Sequence, residues 1–484
     1  MPEIKRITLP YQASLLSLYQ ALRALPYPAL LDSNHHAFPD TKFDILVANP
    51  LARIYAKQGA HHIEWRDDQA DTPLYTLTDS DSPLSTLEQL LTLSTQEPWA
   101  KNAPKDLPFT GGLLGYYGYE CGHYVETLPD NVLHDISLDQ LSVGLYGWSI
   151  VSSHTSSTTE LIITPWCSIQ EEKSLLTQIN KALSLNPPAA LNSDPIEPQS
   201  RPRFVLKTPF VSNMTALEYK TKFDTVKDYI LSGDCYQVNL AQRFSSHYAG
   251  DPMDAYLRLR EVCPTPFSAF MELGEQQAIL SHSPERFLLC EQGRVESKPI
   301  KGTIARGKTP AEDKANADTL LASEKDRAEN LMIVDLLRND LGRTCLTGSI
   351  KVPKLFALES YANVHHLVST VEGRIEGLDQ SIRVFHESFP GGSITGAPKI
   401  RSMEIIDELE PHERSVYCGS IAYFSVNGQM DSSITIRTLV ADRGRIHCWA
   451  GGGLVADSKY QEEYQETFTK VGKLTHTLEH DFLK

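Results

Sequence analysis

Two segments of the chain each carry a pair of carboxylic acids at helical spacing. Asp326 and Glu329 lie three residues apart, and Glu463 and Glu466 repeat this spacing near the end of the chain. Residues three or four apart share one face of a helix, so each pair can present two carboxylates together, with Lys470 beside Glu466. Four carboxylates without nearby histidine or cysteine suit a hard cation with oxygen ligands, above all Mg²⁺. The same spacing is also common on solvated helix faces, so the spacing alone leaves both interpretations open.

Two glycine-rich loops form a second candidate for chemistry. Residues 390–399, PGGSITGAPK, lead into a predicted helix with Pro398 as its first residue, and residues 450–458, AGGGLVADS, directly precede the helix of Glu463. Free N–H groups at the start of a helix favour an anionic ligand. Neither loop has the pattern of a nucleotide-binding loop. A tight turn is the alternative interpretation for either loop.

Three ionisable residues stand alone in apolar surroundings. Arg437 is predicted to lie on a strand, on the face opposite Ile434 and Ile436, where an inward-facing arginine needs an anionic partner. Lys301 occurs in SKPIKGT, a segment with few acids, and Glu285 occurs in SHSPERFLL. Each of them could equally be a surface charge, so none assigns a reaction alone.

The elements that must position these residues divide into two parts. Residues 183–213 contain six prolines and no sustained periodicity, which predicts a linker between a region at 1–182 and a region at 214–484. The strands and long helices of the second region predict an α+β fold with a largely antiparallel sheet.

Local patterns predict individual elements within these parts. Thr215 and Glu218 form a capping box for a helix that ends at Gly233. Ser323 with Asp326 predicts the N-terminal cap of the helix that carries AENLMIVDLLRND. Asn427-Gly428 predicts a type I′ hairpin turn. The segment 109–120, FTGGLLGYYGYE, suits a strand that another backbone or a ligand approaches closely, or a tightly packed strand.

Composition excludes several classes of protein. The chain has 484 residues and a net charge of −16, from 45 basic and 61 acidic residues, which disfavours nucleic acid as a partner. Eight scattered cysteines without a C-x-x-C pair argue against a zinc ribbon or a disulfide framework. No apolar run approaches the ~20 residues of a membrane span. We therefore expect a cytoplasmic enzyme, in which an anionic substrate needs local Arg, Lys or metal.

Six motifs stand in a fixed order along the second half of the chain: SPERF, PIKGT, AENLMIVDLLRNDLGR, PGGSITGAPK, CGSIAYF and GGGLVADS. In this order and spacing they resemble the chorismate-utilising enzyme family over about residues 215–480. A weaker resemblance to the family's N-terminal region covers LLDS at 30–33, KFDILVANP and GGLLGYYGYE. The resemblance implies two large, mostly antiparallel sheets packed together and flanked by helices.

Two positions discriminate between the reactions of this family. Members that add water carry a lysine where this chain has Gln237, and glutamine cannot take a proton at neutral pH, so the resemblance implies ammonia as nucleophile. Members that aminate chorismate at C4 resemble this chain in the lysine of PIKGT, whereas those that form anthranilate and pyruvate have alanine there. We therefore expect amination at C4, on the route to 4-aminobenzoate and folate. Anthranilate formation is the alternative reaction. A catalytically inactive, ligand-sensing subunit is the other alternative, but such a subunit would be expected to lack the acids of the site, and this chain retains them.

The resemblance also implies a role for each residue of the site. Glu285 would protonate the departing C4 hydroxyl, Lys301 would attack C2, and His366 would orient substrate or transfer a proton. Arg437 would bind the enolpyruvyl carboxylate through its planar guanidinium. The acids implied for Mg²⁺ are Glu329 and Glu466, with Asp326 and Glu463 close by. The residues implied in substrate binding are Gln237, Ser393, Thr395, Gly396, Tyr417, Arg437, Gly452, Gly453 and Lys470.

Two further partners follow from the resemblance. A separate glutaminase subunit is expected to supply ammonia, because the chain shows no cysteine elbow followed by a His-x-Glu motif. A pocket that binds tryptophan in relatives is also implied, and we favour a structural ligand site there over a regulatory one. Its residues would be Ser33, Lys42, Phe43, Phe267, Ser268 and Ala269.

Overall fold

Two large sheets built from antiparallel pairs of strands form the centre of the protein. The computed structural model describes residues 2–38, 41–57, 59–69, 73–185, 201–360 and 364–484. With helices on the outside of the sheets, the protein has the α+β architecture that the resemblance implied, and that prediction is confirmed.

The first sheet has thirteen strands, in the order β1-β9-β8-β3-β2-β13-β14-β23-β24-β12-β10, with β11 and β20 also paired to β12. Strands are numbered along the chain. Its members are β1 (Lys5–Leu9), β2 (Ala29–Asp32), β3 (Phe43–Val47), β8 (Trp148–Ser153), β9 (Thr158–Ile163), β10 (Val205–Leu206), β11 (Val211–Ser212), β12 (Gln237–Ala249), β13 (Phe267–Gly274), β14 (Gln277–Ser283), β20 (Gly396–Ala397), β23 (Thr438–Asp442) and β24 (Arg445–Leu454).

The second sheet has eleven strands, in the order β17-β19-β16-β15-β22-β21-β6-β7-β4-β5, with β18 also paired to β19. Its members are β4 (Ala52–Lys57), β5 (Ala60–Trp65), β6 (Gly112–Tyr117), β7 (Leu141–Tyr146), β15 (Arg286–Glu291), β16 (Arg294–Ser297), β17 (Ile300–Ala305), β18 (Lys351–Ser360), β19 (Val364–Arg374), β21 (Ser420–Ser425) and β22 (Met430–Ile434).

Ten α-helices occur within the described ranges. They are α1 (Leu16–Leu22), α2 (Pro83–Gln96), α3 (Ile169–Leu185), α4 (Ala216–Ser232), α5 (Pro252–Val262), α6 (Pro310–Ala322), α7 (Glu324–Gly342), α8 (Gln380–Ser388), α9 (Lys399–Leu409) and α10 (Tyr460–Phe482). None of these described helices combines the length and the apolar composition that a membrane-spanning helix requires.

The hydrophobic core has two main layers, and the alternation of strand side chains assigns residues to them. On β2, Ala29 lies in a core shared with Leu113 of the second sheet, whereas its neighbour Leu30 lies in a core shared with Leu18 of α1 and Leu478 of α10. Successive strand residues point to opposite faces, so one strand can line both layers. The first core joins the sheets, and the second joins the first sheet to its helices.

Strands from before and after the predicted linker share both sheets. In the first sheet β2 pairs with β13, and in the second sheet β6 pairs with β21. Residues 186–200 of the linker lie outside the described residues. Of the remainder, α3 extends to Leu185, while β10 and β11 pair with β12. The two sequence regions therefore form one set of sheets rather than two separately packed layers.

Most of the local predictions are confirmed. The Thr215–Glu218 capping box is formed and α4 ends at Gly233 in the left-handed conformation. The hairpin of β21 and β22 is present, but its turn is not type I′, because Gly428 has φ +85° and Asn427 has no positive φ. Asn427 instead uses its side chain to accept the Gln429 N–H at 3.0 Å, which closes a wider loop.

The glycine-rich strand at 112–117 is a tightly packed strand of the second sheet. A side chain at Gly112 would collide with the Phe424 carbonyl, and one at Gly115 would collide with the Ser142 carbonyl. The sequence left open whether a backbone or a ligand approaches these glycines. The structure shows that the neighbouring backbones of β21 and β7 approach them.

Candidate active site

Three residues from distant parts of the chain meet where β15, β17 and the loop before α9 come together. The Ser393 hydroxyl donates to Glu285 Oε1 at 3.0 Å, and Lys301 Nζ donates to the Ser393 carbonyl at 3.3 Å. Glu285 directly precedes β15, and Lys301 lies on β17. The structure thus places two predicted catalytic residues on either side of one predicted substrate-binding residue.

Partial burial moves both ionisable groups of this cluster toward their neutral forms. The pKa of Glu285 is raised, chiefly by desolvation, against the opposing effects of the Lys301 charge and the Ser393 hydrogen bond. The pKa of Lys301 is lowered, again chiefly by desolvation, against the attraction of Glu285 and Glu329. A neutral amine beside a protonated carboxyl can serve as nucleophile and general acid.

Two buried carboxamides of β12 face the glycines of 450–458. The prediction of a loop was wrong for 450–454, because these residues belong to β24 and pair with β12. A side chain at Gly453 would collide with the amide of Gln237, and a Cβ at Gly451 would lie 2.6 Å from Asn239 Oδ1. Among the residues that the structure describes, neither polar atom of the Gln237 amide has a hydrogen-bond partner, and Asn239 Oδ1 has none. Buried polar groups without partners are costly, so these amides mark a place where a ligand can complete the hydrogen bonding.

The loop at 390–398 packs against β12 from the other side. Gly396 has φ +147°, and a side chain there would collide with the Gln237 carbonyl. The Thr395 hydroxyl, predicted to bind substrate, donates to the Gly391 carbonyl at 3.0 Å and so closes the loop. The prediction that Pro398 is the first residue of the helix was wrong by one position, because its ψ of 145° is extended and makes it the N-cap of α9.

The four predicted metal-binding acids lie on α7 and α10, and these helices face the same cluster. Ser323 caps α7 by accepting the Asp326 N–H, as predicted. The pKa of Glu329 is raised, first by desolvation, and the negative charges of Asp326 and Glu463 add to the rise. Glu463 is buried and accepts the Ser458 hydroxyl at 2.6 Å, while Glu466 pairs with Lys470 at 2.6 Å.

The acids are close enough to repel one another, and the glycines at the end of β24 lie against them. A Cβ at Gly452 would lie 2.9 Å from Glu463 Oε2 and 3.8 Å from Glu466 Oε1. Within the described residues, no three His, Cys, Asp or Glu side chains form a ready metal cage. Mg²⁺ commonly takes only one or two protein carboxylates and completes its shell with water and substrate oxygens. The donor set of these helices therefore fits Mg²⁺.

Arg437 is in a different place from the one predicted. It does not lie on a strand but in the connection where the chain crosses from β22 in the second sheet to β23 in the first, with φ +50°. This sharp crossover needs the left-handed conformation, and Arg437 stays accessible to solvent although nearby protein partly desolvates its guanidinium. Desolvation lowers its pKa, and none of the described residues forms an ion pair with it. Arg437 is thus available to an anionic ligand.

His366 and Tyr417 complete the surroundings of the cluster. His366 Nδ1 lies 2.8 Å from the Thr303 hydroxyl, and its pKa is lowered by desolvation and then by the Arg437 charge. The Tyr417 ring stacks on Trp449 with centroids 6.0 Å apart and an angle of 4° between the planes. Lys470 donates to the Gly451 carbonyl at 2.9 Å.

The residues predicted for a tryptophan pocket lie on or directly beside three adjacent strands of the first sheet, β3, β2 and β13. Ser33 donates to Asp44 Oδ1 at 2.7 Å, and Asn34 Nδ2 donates to the Ser268 hydroxyl at 2.8 Å. The carbonyl of Lys42 accepts the His154 N–H at 2.8 Å. Phe43 starts β3, while Phe267 and Ala269 lie on β13.

Two residues near the site were missed from the sequence. Asn239 shares the strand face of Gln237, and the alternation of β12 carries that signal. Trp449 stacks on Tyr417 from a strand distant in sequence, and no local pattern indicates such a contact.

The comparisons with known proteins match nearly the whole chain. The model of the family described as chorismate binding enzyme matches residues 27–476. The chain is 44% identical over 461 residues to aminodeoxychorismate synthase component 1 of Escherichia coli, covering 95% of each chain. It is 43% identical to the protein of the same name from Salmonella typhimurium, covering 98% of each.

A solved structure supports the fold. The crystal structure of anthranilate synthase component I from Streptococcus pneumoniae matches with a TM-score of 0.73 and 30% identity, covering 90% of this chain and 92% of that one. The extent of the family match and the identity to its members over nearly the whole length lead to one conclusion. The chain belongs to the chorismate binding enzyme family.

Proposed function

We propose that this chain aminates chorismate at C4 to form 4-amino-4-deoxychorismate, as component 1 of an aminodeoxychorismate synthase. The observation that carries the proposal is the position of Lys301, whose amine contacts the same Ser393 that hydrogen bonds to Glu285. A partly buried lysine with a lowered pKa is more readily present as the neutral amine that can act as a nucleophile. The relatives that bear this enzyme's name support the same reaction.

Chorismate carries two carboxylates, so its binding must overcome the net charge of −16. Arg437 supplies a planar guanidinium that has no ion-pair partner among the described residues, and we assign it to the enolpyruvyl carboxylate. Tyr417, in the turn before β21, and Lys470, on α10, would contact the substrate. His366, with a lowered pKa, would stay neutral and orient the substrate.

The reaction follows from the neutral forms of Lys301 and Glu285. The Lys301 amine would bond to C2 while the ring diene shifts toward C4 and the C4–O bond breaks. Glu285 would give its proton to the departing hydroxyl, which leaves as water. Ammonia would then bond to C4, the diene would shift back, and the C2–N bond would break to release the Lys301 amine. The ionised Glu285 would take a proton from the new ammonium group, which restores both residues.

We propose Mg²⁺ as the cofactor, held by Glu329 and Glu466 with Asp326 and Glu463 nearby. When bound, the ion would neutralise the ring carboxylate and draw electron density from the ring. The protein's own part is positioning: Ser458 orients Glu463 through the 2.6 Å hydrogen bond. Lys470 joins Glu466 to the Gly451 carbonyl.

The metal proposal predicts a specific effect of one substitution. Glu466→Gln should raise the Mg²⁺ concentration needed for half-maximal activity by at least about 10-fold, because it removes a carboxylate from the cation's shell. Activity would be measured across a Mg²⁺ series after removal of metal with a chelator. Glu462→Gln, on the same helix and paired with Lys459, is the control and should behave as wild type. An unchanged Mg²⁺ dependence in Glu466→Gln would contradict the assignment.

We propose ammonia as the second substrate and a glutaminase subunit as its source. The designation component 1 of the relatives supports a second component. Gln237 supports ammonia over water, since a neutral amide cannot remove a proton from water.

We also propose that the pocket around Ser33 and Ser268 holds a small ligand such as tryptophan in a structural role. The buried Asn34 Oδ1 has no hydrogen-bond partner among the described residues, which leaves room for a polar group of a ligand.

The nature of the product tests the proposed function. Purified protein would be incubated with chorismate, ammonium and Mg²⁺. We expect a product that becomes 4-aminobenzoate only after a lyase is added. Fluorescent anthranilate formed by the chain alone would contradict amination at C4 and would favour the anthranilate-forming alternative.

A further inference from the structure

Arg414 lies beneath the candidate active site, and its side chain is 2% exposed. Its Nε and Nη2 donate to the two carboxylate oxygens of Glu410, at 2.9 and 2.6 Å. Its Nη1 donates to the Ile394 carbonyl at 3.1 Å, and Nη2 also donates to the Asn239 carbonyl at 2.7 Å. These contacts use four of the five N–H groups of the guanidinium.

The two carbonyls belong to the two backbones that carry the site. Ile394 directly follows Ser393, which contacts both Lys301 and Glu285. Asn239 carries one of the two buried amides on β12. Glu410 extends the network, because its Oε1 also accepts a backbone N–H of β12 at 2.8 Å. One guanidinium therefore spans the distance between the loop at 390–398 and the strand that faces it.

Arg414 also contacts the tyrosine that we place against the substrate. Its Cζ lies 5.7 Å from the centroid of the Tyr417 ring and 4.7 Å from that of Tyr119. The Tyr417 N–H donates to the Arg414 carbonyl at 2.9 Å. The guanidinium thus borders Tyr417 on one side, while Trp449 stacks on the ring itself.

Stability alone does not account for this arrangement. Desolvation of two buried charges roughly offsets their attraction, so an apolar pair of the same shape often stabilises a fold equally well. A planar guanidinium that is hydrogen bonded to four acceptors instead fixes the separation between two backbone segments. We propose that Arg414 is a positioning residue that holds Ser393 and Tyr417 in their reactive places, an inference that rests on the proposed function.

The variant Arg414→Lys tests this inference in the full-length protein with chorismate, ammonium and Mg²⁺. It keeps the positive charge, but one ammonium cannot span the same acceptors. We expect chorismate consumption per folded molecule to fall about 10²-fold, because misplacement of reacting groups by about 1 Å has effects of this size. The folded fraction would be measured by thermal unfolding of the same samples.

A second readout separates positioning from a merely structural role. The Ser393 hydrogen bond lowers the pKa of Glu285, so displacement of Ser393 should raise that pKa. The proposed general acid must be protonated, and activity falls as pH rises through its pKa. The alkaline limb of the rate profile in Arg414→Lys should therefore move to higher pH.

Arg401→Lys is the matched control. Arg401 lies on α9, pairs with Glu404 at 2.9 Å and stays outside the site, so its variant should keep the wild-type rate and pH profile. Glu410→Gln should reproduce the effects of Arg414→Lys, and it decides the question if Arg414→Lys does not fold.

Two results would overturn the inference: a wild-type rate in the variant, or a lower rate with an unchanged pH profile. A product other than the aminated one would contradict the proposed function. Even then, the ratio of variant to wild-type chorismate consumption would show whether Arg414 positions the site.

Discussion

Replacing Lys301 with alanine should lower the rate of chorismate amination by on the order of 10³-fold or more, because it removes the proposed nucleophile. The lysine lies beside Glu285 and Ser393, and no other lysine among the described residues contacts that serine. The rate would be measured by coupling the product to a lyase and following 4-aminobenzoate. The affinity for chorismate should fall by a much smaller factor than the rate, because the two carboxylates of chorismate are assigned to Arg437 and the metal.

Lys298→Ala is the control for this experiment. Lys298 lies three residues earlier, 4.0 Å from the carboxylate of Glu359, and its loss should leave the rate unchanged. Mass spectrometry of wild-type protein quenched during turnover should find a chorismate-derived adduct on Lys301. Wild-type turnover in Lys301→Ala would remove the covalent step from the mechanism.

Replacing Glu285 with glutamine should lower the rate by about 10²–10⁴-fold, the usual contribution of a general acid. Glutamine keeps the shape of the side chain and can still interact with the Ser393 hydroxyl, but it has no acidic proton for the departing hydroxyl. Steady-state rates with chorismate and ammonium would measure the loss. Glu291→Gln, at the exposed other end of β15, should have no effect.

The pH dependence provides a second test of Glu285. Its raised pKa keeps the carboxyl protonated to higher pH than usual, and the lowered pKa of Lys301 makes the amine neutral at lower pH. Activity should therefore fall on the acidic side as Lys301 is protonated and on the alkaline side as Glu285 ionises. Because the two groups influence each other, the two limbs report the pair rather than either residue alone. An alkaline limb that persists in Glu285→Gln would contradict this assignment.

Local elements could be predicted because their determinants are close neighbours in the sequence. The capping box of Thr215 and Glu218 and the N-cap Ser323 each depend on residues within one helical turn, and both predictions are confirmed. Pro398 and Asn427 show the limit of this reasoning. The conformation of each depends on what packs against the loop, and the neighbouring residues in the sequence do not indicate that packing.

The arrangement of the sheets could not be read from local patterns. The Pro-rich segment at 183–213 suggested two regions, yet strands from both regions share both sheets. Pairing between distant strands depends on which apolar faces meet, and many pairings satisfy the same alternation. Arg437 was placed on a strand for this reason, since nothing local indicates that the chain changes sheets there.

The sequence by itself determined which chemical groups the site contains: acids at helical spacing, glycines that admit close approach, and a lysine and a glutamate in apolar segments. The order of its motifs pointed to chorismate. Only the tertiary structure decided that Ser393 joins Lys301 to Glu285 and that α7 and α10 face one cluster. The shift of both pKa values toward neutral forms arises from that same burial, because desolvation depends on all surrounding atoms and not on neighbours in the chain.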